Sequence, residues 1–440
     1  MPEATRHHRV VIVGGGAGGL ELATRLGDTL GRKGLADITL VDAARTHLWK
    51  PLLYEVAAGT LDSYADQLEY LAQARWHHFR FRVGRMYGLD RASKEVLVAA
   101  TLDEAGAEIT PNRRIPYDTL VIAVGSLAHD FGIPGVKDHC VMLDTPEQAR
   151  AFHDQLINAC LRAHNQPGPI EPGLLTVAIV GGGATGVELA AELHGTARQL
   201  PAYGLERIDP DKDVRIVVIE AADRMVPGLP PRLSQAVEER MRELGIELHT
   251  GERVTGVDAD GLSTGSGLRI PARMMVWAAG IKAPDFLAGI DGLETNRVNQ
   301  LVVRPTLQTT LDDDIFAFGD CAACPMPGTE ANVPPRAQAA HQQANTLAKS
   351  IRRRLRGEAL PEYVYRDYGS LVVLGRYSTV GSLMGALTGG SVMVEGIVAR
   401  LVYWSLYKLH QVTLNGYFKT VLSTLANLIN SPNKPTIKLH

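Results

Sequence analysis

Cysteine is scarce in this chain, four in 440 residues, and none precedes Cys140. A disulfide framework is thereby excluded, and a reducing, cytoplasmic compartment is the natural setting. Long apolar runs are missing too. No stretch reaches the roughly 18 uninterrupted apolar residues that mark a spanning helix, so any contact with a membrane is made lying on its surface. The opening MPEATRHHRVV holds no apolar segment of signal-peptide type. An excess of either charge is also absent. The chain has 45 Lys and Arg against 48 Asp and Glu, a formal net charge of −3, which gives no global sign of nucleic-acid binding. The balance is uneven, however. Positions 391–440 hold five Lys and Arg against the single acid Glu395, a basic end on an acidic body that suits contact with an anionic surface.

What is present is an ordinary globular composition, 45% hydrophobic and 21% charged, in a length that suggests two or three domains. Two glycine runs organise it. Arg9–Val13 reads as a strand leading into Gly14-Gly15-Gly16-Ala17-Gly18-Gly19, then an amphipathic helix ending near Gly31, then the strand Asp37–Val41 with Asp42 at its tip. The pattern recurs: the strand Leu175–Val180, the turn Gly181-Gly182-Gly183-Ala184-Thr185-Gly186, the helix Val187–Leu200, the strand Val214–Ile219 and the acid Glu220. Each is a β-α-β unit of dinucleotide-binding type. The first glycine (Gly14, Gly181) makes the tight turn, the second (Gly16, Gly183) admits the pyrophosphate, and the third (Gly19, Gly186) lets helix and strand pack closely, while the helix amino end attracts the anion. Two copies predict two nucleotide sites; the bland alternative is a pair of glycine-rich turns without ligands. Glu220 would repel a 2′-phosphate, so NADH is expected over NADPH, although Arg224 stands close by in sequence.

The segment Ile315–Asp320, read as one more strand with a carboxylate at its end, follows both units. It resembles the second flavin-binding motif of the glutathione-reductase-like flavoproteins. That resemblance implies an α/β fold of two Rossmann-like dinucleotide-binding domains, with FAD held by Gly14, Gly16, Ala17, Gly18, Gly19, Asp42 and Asp320. It places Val83 near the adenine and Ala123 on the strand leading to the flavin, and gives NADH to Gly181, Gly183, Ala184, Thr185, Gly186 and Glu220. The alternative for Asp320 is a simple turn cap.

The exit route for electrons is the open question at this point. A disulfide reductase needs a cysteine pair beside the flavin soon after the first unit, and this chain has none there. Cys321 and Cys324 form a C-x-x-C spacing, but a structural role is the plainer reading and no metal site is expected. Pro334-Pro335 opens a helix of about twenty residues stopped by Gly357. Gln338 and Gln342 lie four apart on one face of it, among small residues. Neutral amides there can donate to a quinone carbonyl; a solvated polar face is the alternative.

The run AQAAHQQ (337–343), together with HLWKPLLYEVAAG (47–59), GGGATGVELAAELH (181–194), VWAAGIKAPDF (276–286) and the tail 370–440, closely resembles the type II NADH:quinone oxidoreductases. The resemblance spans essentially the whole chain. It implies FAD as cofactor, NADH as substrate and a membrane quinone, ubiquinone or menaquinone, as acceptor, without proton pumping. It implies quinone-site roles for Gln338 and Gln342, a place near flavin and nicotinamide for Glu188, and cofactor contacts from Lys50, Ala337 and Gly280. Glu188, read as lying in the first turn after the glycine loop, either balances the helix amino end or helps deliver protons to reduced quinone. Where family members often carry a lysine near the flavin this chain has Arg376, which does not deprotonate.

The expected boundaries are 1–143 and 281–362 for the two parts of the FAD domain, 144–280 for the NADH domain and 363–440 for a membrane-associating or dimerising region. In the last, Leu401, Val402, Leu406, Leu409, Val412, Phe418, Val421, Leu422 and Leu425 are interrupted by Arg400, Lys408 and Lys419, with Tyr403, Trp404 and Tyr407 between. Apolar stripes with cations and interfacial aromatics suit helices in the headgroup plane; a buried dimer or core helix pair is the alternative, and both can hold. A homodimer peripheral to the cytoplasmic face of the bacterial inner membrane is expected, released by deleting 391–440 with FAD still bound. The rivals are a sulfide:quinone-type reductase, which would want reactive cysteines over the flavin, and an NADH-sensing flavoprotein that acts through its interactions.

Overall fold

The computed structural model of the chain describes residues 7–64, 66–375, 378–384, 391–395, 405, 408, 410–414 and 416–430. β1 (His8–Val13) is rich in β-branched residues and its last four are buried, as in a parallel strand covered on both faces. α1 (Ala17–Leu26) follows, continuing into a π-helical turn, Gly27–Gly31. β2 (Ala36–Asp42), α2 (Leu53–Ala58), α3 (Tyr70–Trp76) and β3 (Arg80–Val83) come next. An antiparallel meander, β4 (Met86–Asp90), β5 (Glu95–Val98) and β6 (Arg113–Pro116), leads to β7 (Thr119–Ile122).

The second unit repeats this plan. β8 (Val141–Met142) precedes α4 (Pro146–Asn165), whose start is fixed by a capping box between Thr145 and Gln148. Then come β9 (Thr176–Val180), α5 (Ala184–Ala197), β10 (Arg215–Glu220), α6 (Pro231–Glu243) and β11 (Glu247–Thr250). A second meander, β12 (Val254–Asp258), β13 (Gly261–Thr264) and β14 (Arg269–Pro271), leads to β15 (Met274–Trp277). The chain then returns. β16 (Gln308–Thr309) and β17 (Asp312–Ala317) join the first sheet, β17 running parallel to β7, and α7 (Ala337–Arg354) packs on α1. The two sheets are ordered β16-β17-β7-β1-β2-β3 and β8-β15-β9-β10-β11. An antiparallel sheet of β18 (Gly369–Leu374), β19 (Ser378–Met384) and β20 (Ser391–Glu395) follows, and α8 (Tyr417–Asn430) is the last element described.

The expected architecture of two Rossmann-like units is the one found, with shifts at element ends. The first-sheet strand expected to reach Asp320 stops at Ala317. Gly319 takes a φ of +71° and Asp320 lies in the single turn Gly319–Cys321. The helix expected from Val187 begins at Ala184, inside the glycine run, so Glu188 sits in its second turn, not its first.

Three hydrophobic cores pack on the two sheets, the first containing Ile12, Leu22, Leu40, Phe316 and Ile351, the second Phe152, Ile179, Leu189 and Val218, and the third, on the other face of the second sheet, Ala178, Val217 and Trp277. The partition does not follow sequence strictly. Leu53, Tyr54 and Val56 of α2 and Val372 and Leu374 of β18 are buried in the second core, and Thr196 donates to the Ala58 carbonyl at 2.8 Å. Each buried side chain of this size contributes roughly 2 kcal/mol, so the junction between the units is itself part of a core.

Candidate functional site

The two glycine loops are built alike. Gly14 and Gly181 take φ of +101° and +110°, and a Cβ at either would run into the main chain of the neighbouring strand end, Ala123 and Ala278 respectively. A Cβ at Gly19 or Gly186 would strike the carbonyl of Gly14 or Gly181. Gly16 and Gly183 differ: a Cβ at either meets nothing within 4 Å. The outer glycines are thus required by packing, and the middle one faces open space where a pyrophosphate can approach. Neither α1 nor α5 has a side-chain cap at its amino end. The first-turn N–H groups at Ala17 and Gly18, and at Ala184 and Thr185, are therefore available to an anion.

Each loop is locked by its acidic strand tip. Asp42 accepts from Gly15 N–H at 2.5 Å and from Ala44 N–H at 2.7 Å; Glu220 accepts from Gly182 N–H at 2.6 Å and from Ala222 N–H at 2.8 Å. A carboxylate has about four acceptor sites, so both acids keep capacity for ribose hydroxyls. Burial raises the Asp42 carboxyl above its usual range, and the Gly15 and Ala44 amides oppose that shift. Val83 pairs in register with Asp42, and Ala123 N–H donates to Val13 O at 2.7 Å beside Gly14. The residues present therefore fit a dinucleotide at each loop.

Asp320 converges on the first loop's side. Its Oδ2 accepts from Ser126 Oγ at 2.9 Å and its carbonyl from Gln300 at 2.9 Å. Lys50 Nζ donates to the Ser126 carbonyl at 2.8 Å and pairs with Asp144 at 2.9 Å, so Lys50 and Asp320 meet through one serine. Gly280, at φ +65°, lies against Phe131, which stacks on His129 with ring centroids 4.4 Å apart.

On α7, Ala337 is exposed at the first helical position. The amides of Gln338 and Gln342 are already engaged. Gln342 Nε2 donates to Arg366 O at 2.8 Å while its Oε1 accepts from Arg366 N–H at 3.0 Å. Gln338 Oε1 accepts from Tyr368 N–H at 3.0 Å, and its Nε2 donates to Asp367 Oδ1 at 3.2 Å and Gly369 O at 3.1 Å. Both glutamines pair with 366–369 as a neighbouring strand would, a contact that residue spacing alone did not foretell.

Glu188 is buried, and its Oε1 accepts from Val373 N–H at 3.1 Å. Burial pushes its carboxyl up to about 8, the Val373 amide opposes this, and the charges of Glu55 and Glu192 add to it. Glu55 is likewise pushed up to about 7, by burial first and by Glu192 second. With Glu188 in the second helical turn, balancing the helix end is the weaker of its two readings, since that effect fades beyond the first turn.

Several participants went unread in the sequence. Glu21, 1% exposed, pairs with His341 Nδ1 at 2.7 Å and with Arg25. His47 and His410 meet Nε2 to Nε2 at 3.2 Å, both buried, and His410 stacks on Trp49. Burial holds these imidazoles at about 4 and about 3, His47 adding to the shift at His410. Glu55 carried a signal, an acid inside the apolar helix LYEVAA; the histidine pair, 363 residues apart, carried none.

Cys321 and Cys324 are buried, and desolvation pushes each thiol up to about 11, which keeps them protonated and unreactive. No group of three or more potential metal ligands occurs among the described residues. Arg376 and part of the expected tail, including Arg400, Leu401, Val402, Tyr403, Trp404, Leu406, Tyr407 and Leu409, lie outside the described residues. Of the tail that is described, Leu414 is fully buried in the first core, whereas Tyr417, Phe418, Val421, Leu422 and Leu425 of α8 are exposed on one face. Lys419 Nζ stands 4.6 Å over the Trp76 ring. No helix among the described residues is long and apolar enough to cross a membrane.

Residues 8–344 match the model of the pyridine nucleotide-disulphide oxidoreductases. Among curated proteins, a type II NADH:quinone oxidoreductase of Haemophilus influenzae is 43% identical over 98% of this chain and 99% of its own length. One of Mycobacterium tuberculosis is 30% identical over 96% of this chain and 87% of its own. Among solved structures, NDH2 of Plasmodium falciparum in complex with NADH superposes with a TM-score of 0.80 at 18% identity, covering 98% of this chain and all of that one. The sulfide:quinone oxidoreductase of Aquifex aeolicus shares the fold at a TM-score of 0.71 and 18% identity, covering 96% of this chain and 95% of that one.

Proposed function

This chain belongs to the type II NADH:quinone oxidoreductases, and from that premise we propose how its own residues divide the work. The enzyme oxidises NADH, uses FAD as its cofactor and reduces a quinone by two electrons without pumping protons. When bound, FAD supplies a centre that takes hydride from the nicotinamide and releases electrons singly or in pairs.

The first loop, with Gly14, Gly16, Ala17, Gly18, Gly19, Asp42, Val83, Ala123 and Asp320, holds FAD. The second, with Gly181, Gly183, Ala184, Thr185, Gly186 and Glu220, holds NADH. Lys50, Ala337 and Gly280 border the cofactor. The observation that carries this division is the position of Asp320, bonded to Ser126 just past the end of β7 in the first sheet, beside a matched pair of carboxylate locks, Asp42 on Gly15 and Glu220 on Gly182. Gly183→Val should raise the KM for NADH while FAD stays bound, and Asp320→Ala should weaken FAD retention. Loss of flavin from Gly183→Val would reverse the assignment.

Gln338 and Gln342 act at the quinone by fixing the backbone 366–369 that borders the site. Glu188, protonated at neutral pH, holds a proton for the reduced product. The boundaries 1–143, 144–280, 281–362 and 363–440 remain the working division into domains, with α2 of the first part packed into the second core.

The enzyme lies on the cytoplasmic face of the inner membrane as a homodimer, with the exposed face of α8 turned to lipid. An apolar helical face of this kind beside a cation suits the headgroup plane. Deleting 391–440 would strip Leu414 from the first core and remove His410, the buried partner of His47. Phe418→Asp with Leu422→Asp leaves that core intact. It should move the enzyme from membrane to supernatant with FAD bound; unchanged sedimentation with the membrane would refute the docking.

A further inference from the structure

The face of a parallel sheet inside an α/β domain is ordinarily apolar. One face of the first sheet breaks that rule at its amino-terminal end. In register, Arg9 pairs with Asp37, Val11 with Thr39, Thr39 with Arg80 and Val41 with Arg82. Side chains alternate with a period of two, so Arg9, Asp37, Thr39, Arg80 and Arg82 all share this face. β6 lies across it and brings Arg113 and Arg114, and together they line an open cavity of about 310 Å³. Five guanidinium groups and a single carboxylate, Asp37, line it.

Three of the five guanidiniums are held by acids. Arg9 is pinned by Asp118 through bonds of 2.7 and 3.0 Å, Arg114 by Glu95 at 3.0 Å and Asp90 at 3.3 Å, and Arg80 by Asp37 at 3.3 Å. The other two are not. Arg113 donates only to the main-chain carbonyl of Val83, and its Nε is buried with no hydrogen-bond partner among the described residues. Arg82 forms no ion pair with any described residue. Arg80, Arg82 and Arg114 reach solvent while Arg9 and Arg113 are partly buried, so five guanidiniums converge on an open concavity floored by Val11, Ile115 and Pro116. Planar guanidinium forks match phosphoryl oxygens in paired hydrogen bonds, and the volume reaches the lower range of small-molecule sites.

We propose that this cavity is a binding site for a small phosphate-bearing anion, separate from both dinucleotide loops. Arg9 and Asp37 sit at the amino ends of β1 and β2, about 17 Å along the strands from Gly14 and Asp42, and Arg82, paired with Val41, is the strand residue of the cavity that comes nearest the first loop. None of the cavity's residues belongs to the sites assigned to FAD, NADH or quinone, so occupancy reads as regulation or anchoring and not as substrate binding. The phosphoryl group has two sources, a soluble polyphosphate compound or a phospholipid headgroup.

The test uses the FAD-loaded enzyme with NAD⁺ at saturation, so that both loops are filled. Tripolyphosphate in one titration and a short-chain phosphatidylglycerol below its micelle concentration in the other are followed by calorimetry at constant ionic strength. One saturable site per chain is expected for at least one probe, weakened tenfold or more by Arg82→Ala and by Arg80→Ala, with NADH:quinone turnover of both variants unchanged in the absence of probe. The probe that binds more tightly identifies the source. Absence of saturable binding for both probes, or binding that neither substitution weakens, would overturn the proposal.

Discussion

Glu188 of α5 and Val373 of β18 are joined by one hydrogen bond, the Val373 N–H donating to Glu188 Oε1 at 3.1 Å. The bond ties the helix of the second glycine loop to the sheet that follows the glutamine helix, and the second Glu188 oxygen is left to carry a proton. With the carboxyl raised to about 8, the protonated form prevails at neutral pH. A carboxyl raised on folding stabilises the fold below its unfolded value, near 4.5, and loses that contribution as pH rises through about 8.

Two outcomes are expected from that sign. Quinone turnover of the native enzyme should decline as pH passes 8, and Glu188→Gln should lower kcat roughly tenfold or more while flattening the alkaline limb. A pH profile of kcat unaltered by Glu188→Gln would remove the carboxyl from the proton path.

Gln338 and Gln342 hold 366–369 through five hydrogen bonds between them. Each such bond contributes about 1 kcal/mol net. Gln342→Ala should therefore raise the KM for quinone several-fold and leave the KM for NADH within about twofold, because the second loop is untouched. Steady-state kinetics with each substrate varied in turn measure this, and a change confined to NADH would contradict it.

The His47–His410 contact predicts an acid limit. Two buried neutral imidazoles 3.2 Å apart share a single bridging proton, and both titrate well below 6.5. The unfolded chain takes up protons first, so stability falls as pH drops from about 6.5 toward 4. Thermal unfolding across that range should show the loss, and His410→Leu should reduce its steepness. An identical slope in the variant would show that other groups govern it.

Glu220 bears on the choice of nicotinamide nucleotide. Its carboxylate faces the loop as an acceptor, and a 2′-phosphate brought there would meet like charge. Glu220→Gln, which keeps an oxygen for Gly182, should lower the preference for NADH over NADPH several-fold in kcat/KM. An unchanged preference would assign the selectivity elsewhere.

Much of this was legible in the sequence because it was local. Gly14, Gly16 and Gly19 have roles set by spacing within one turn, and Asp42 and Glu220 are found by following a strand to its tip. The early absence of cysteine closed the dithiol route before any geometry was known. What escaped the reading depends on distant segments meeting. His47 and His410, Glu21 and His341, and the row Arg9, Asp37, Arg80 and Arg82 become neighbours only through strand register and the return of the chain to the first sheet. Gln338 and Gln342 fell between these cases. Their shared face was visible, but their engagement with the 366–369 backbone was not, since a main-chain partner leaves no pattern in residue types.

On this division of the chain, electrons pass from NADH at the second loop to quinone beside the glutamine helix. Anaerobic stopped-flow of the FAD-loaded enzyme tests it most directly. Mixing with stoichiometric NADH should bleach the flavin absorbance, and a soluble quinone added next should restore it within the turnover time. In Glu188→Gln the bleaching should keep its rate while the restoration slows. Absorbance that stays bleached in the native enzyme after quinone, or a Glu188→Gln enzyme impaired only in the NADH step, would contradict the account.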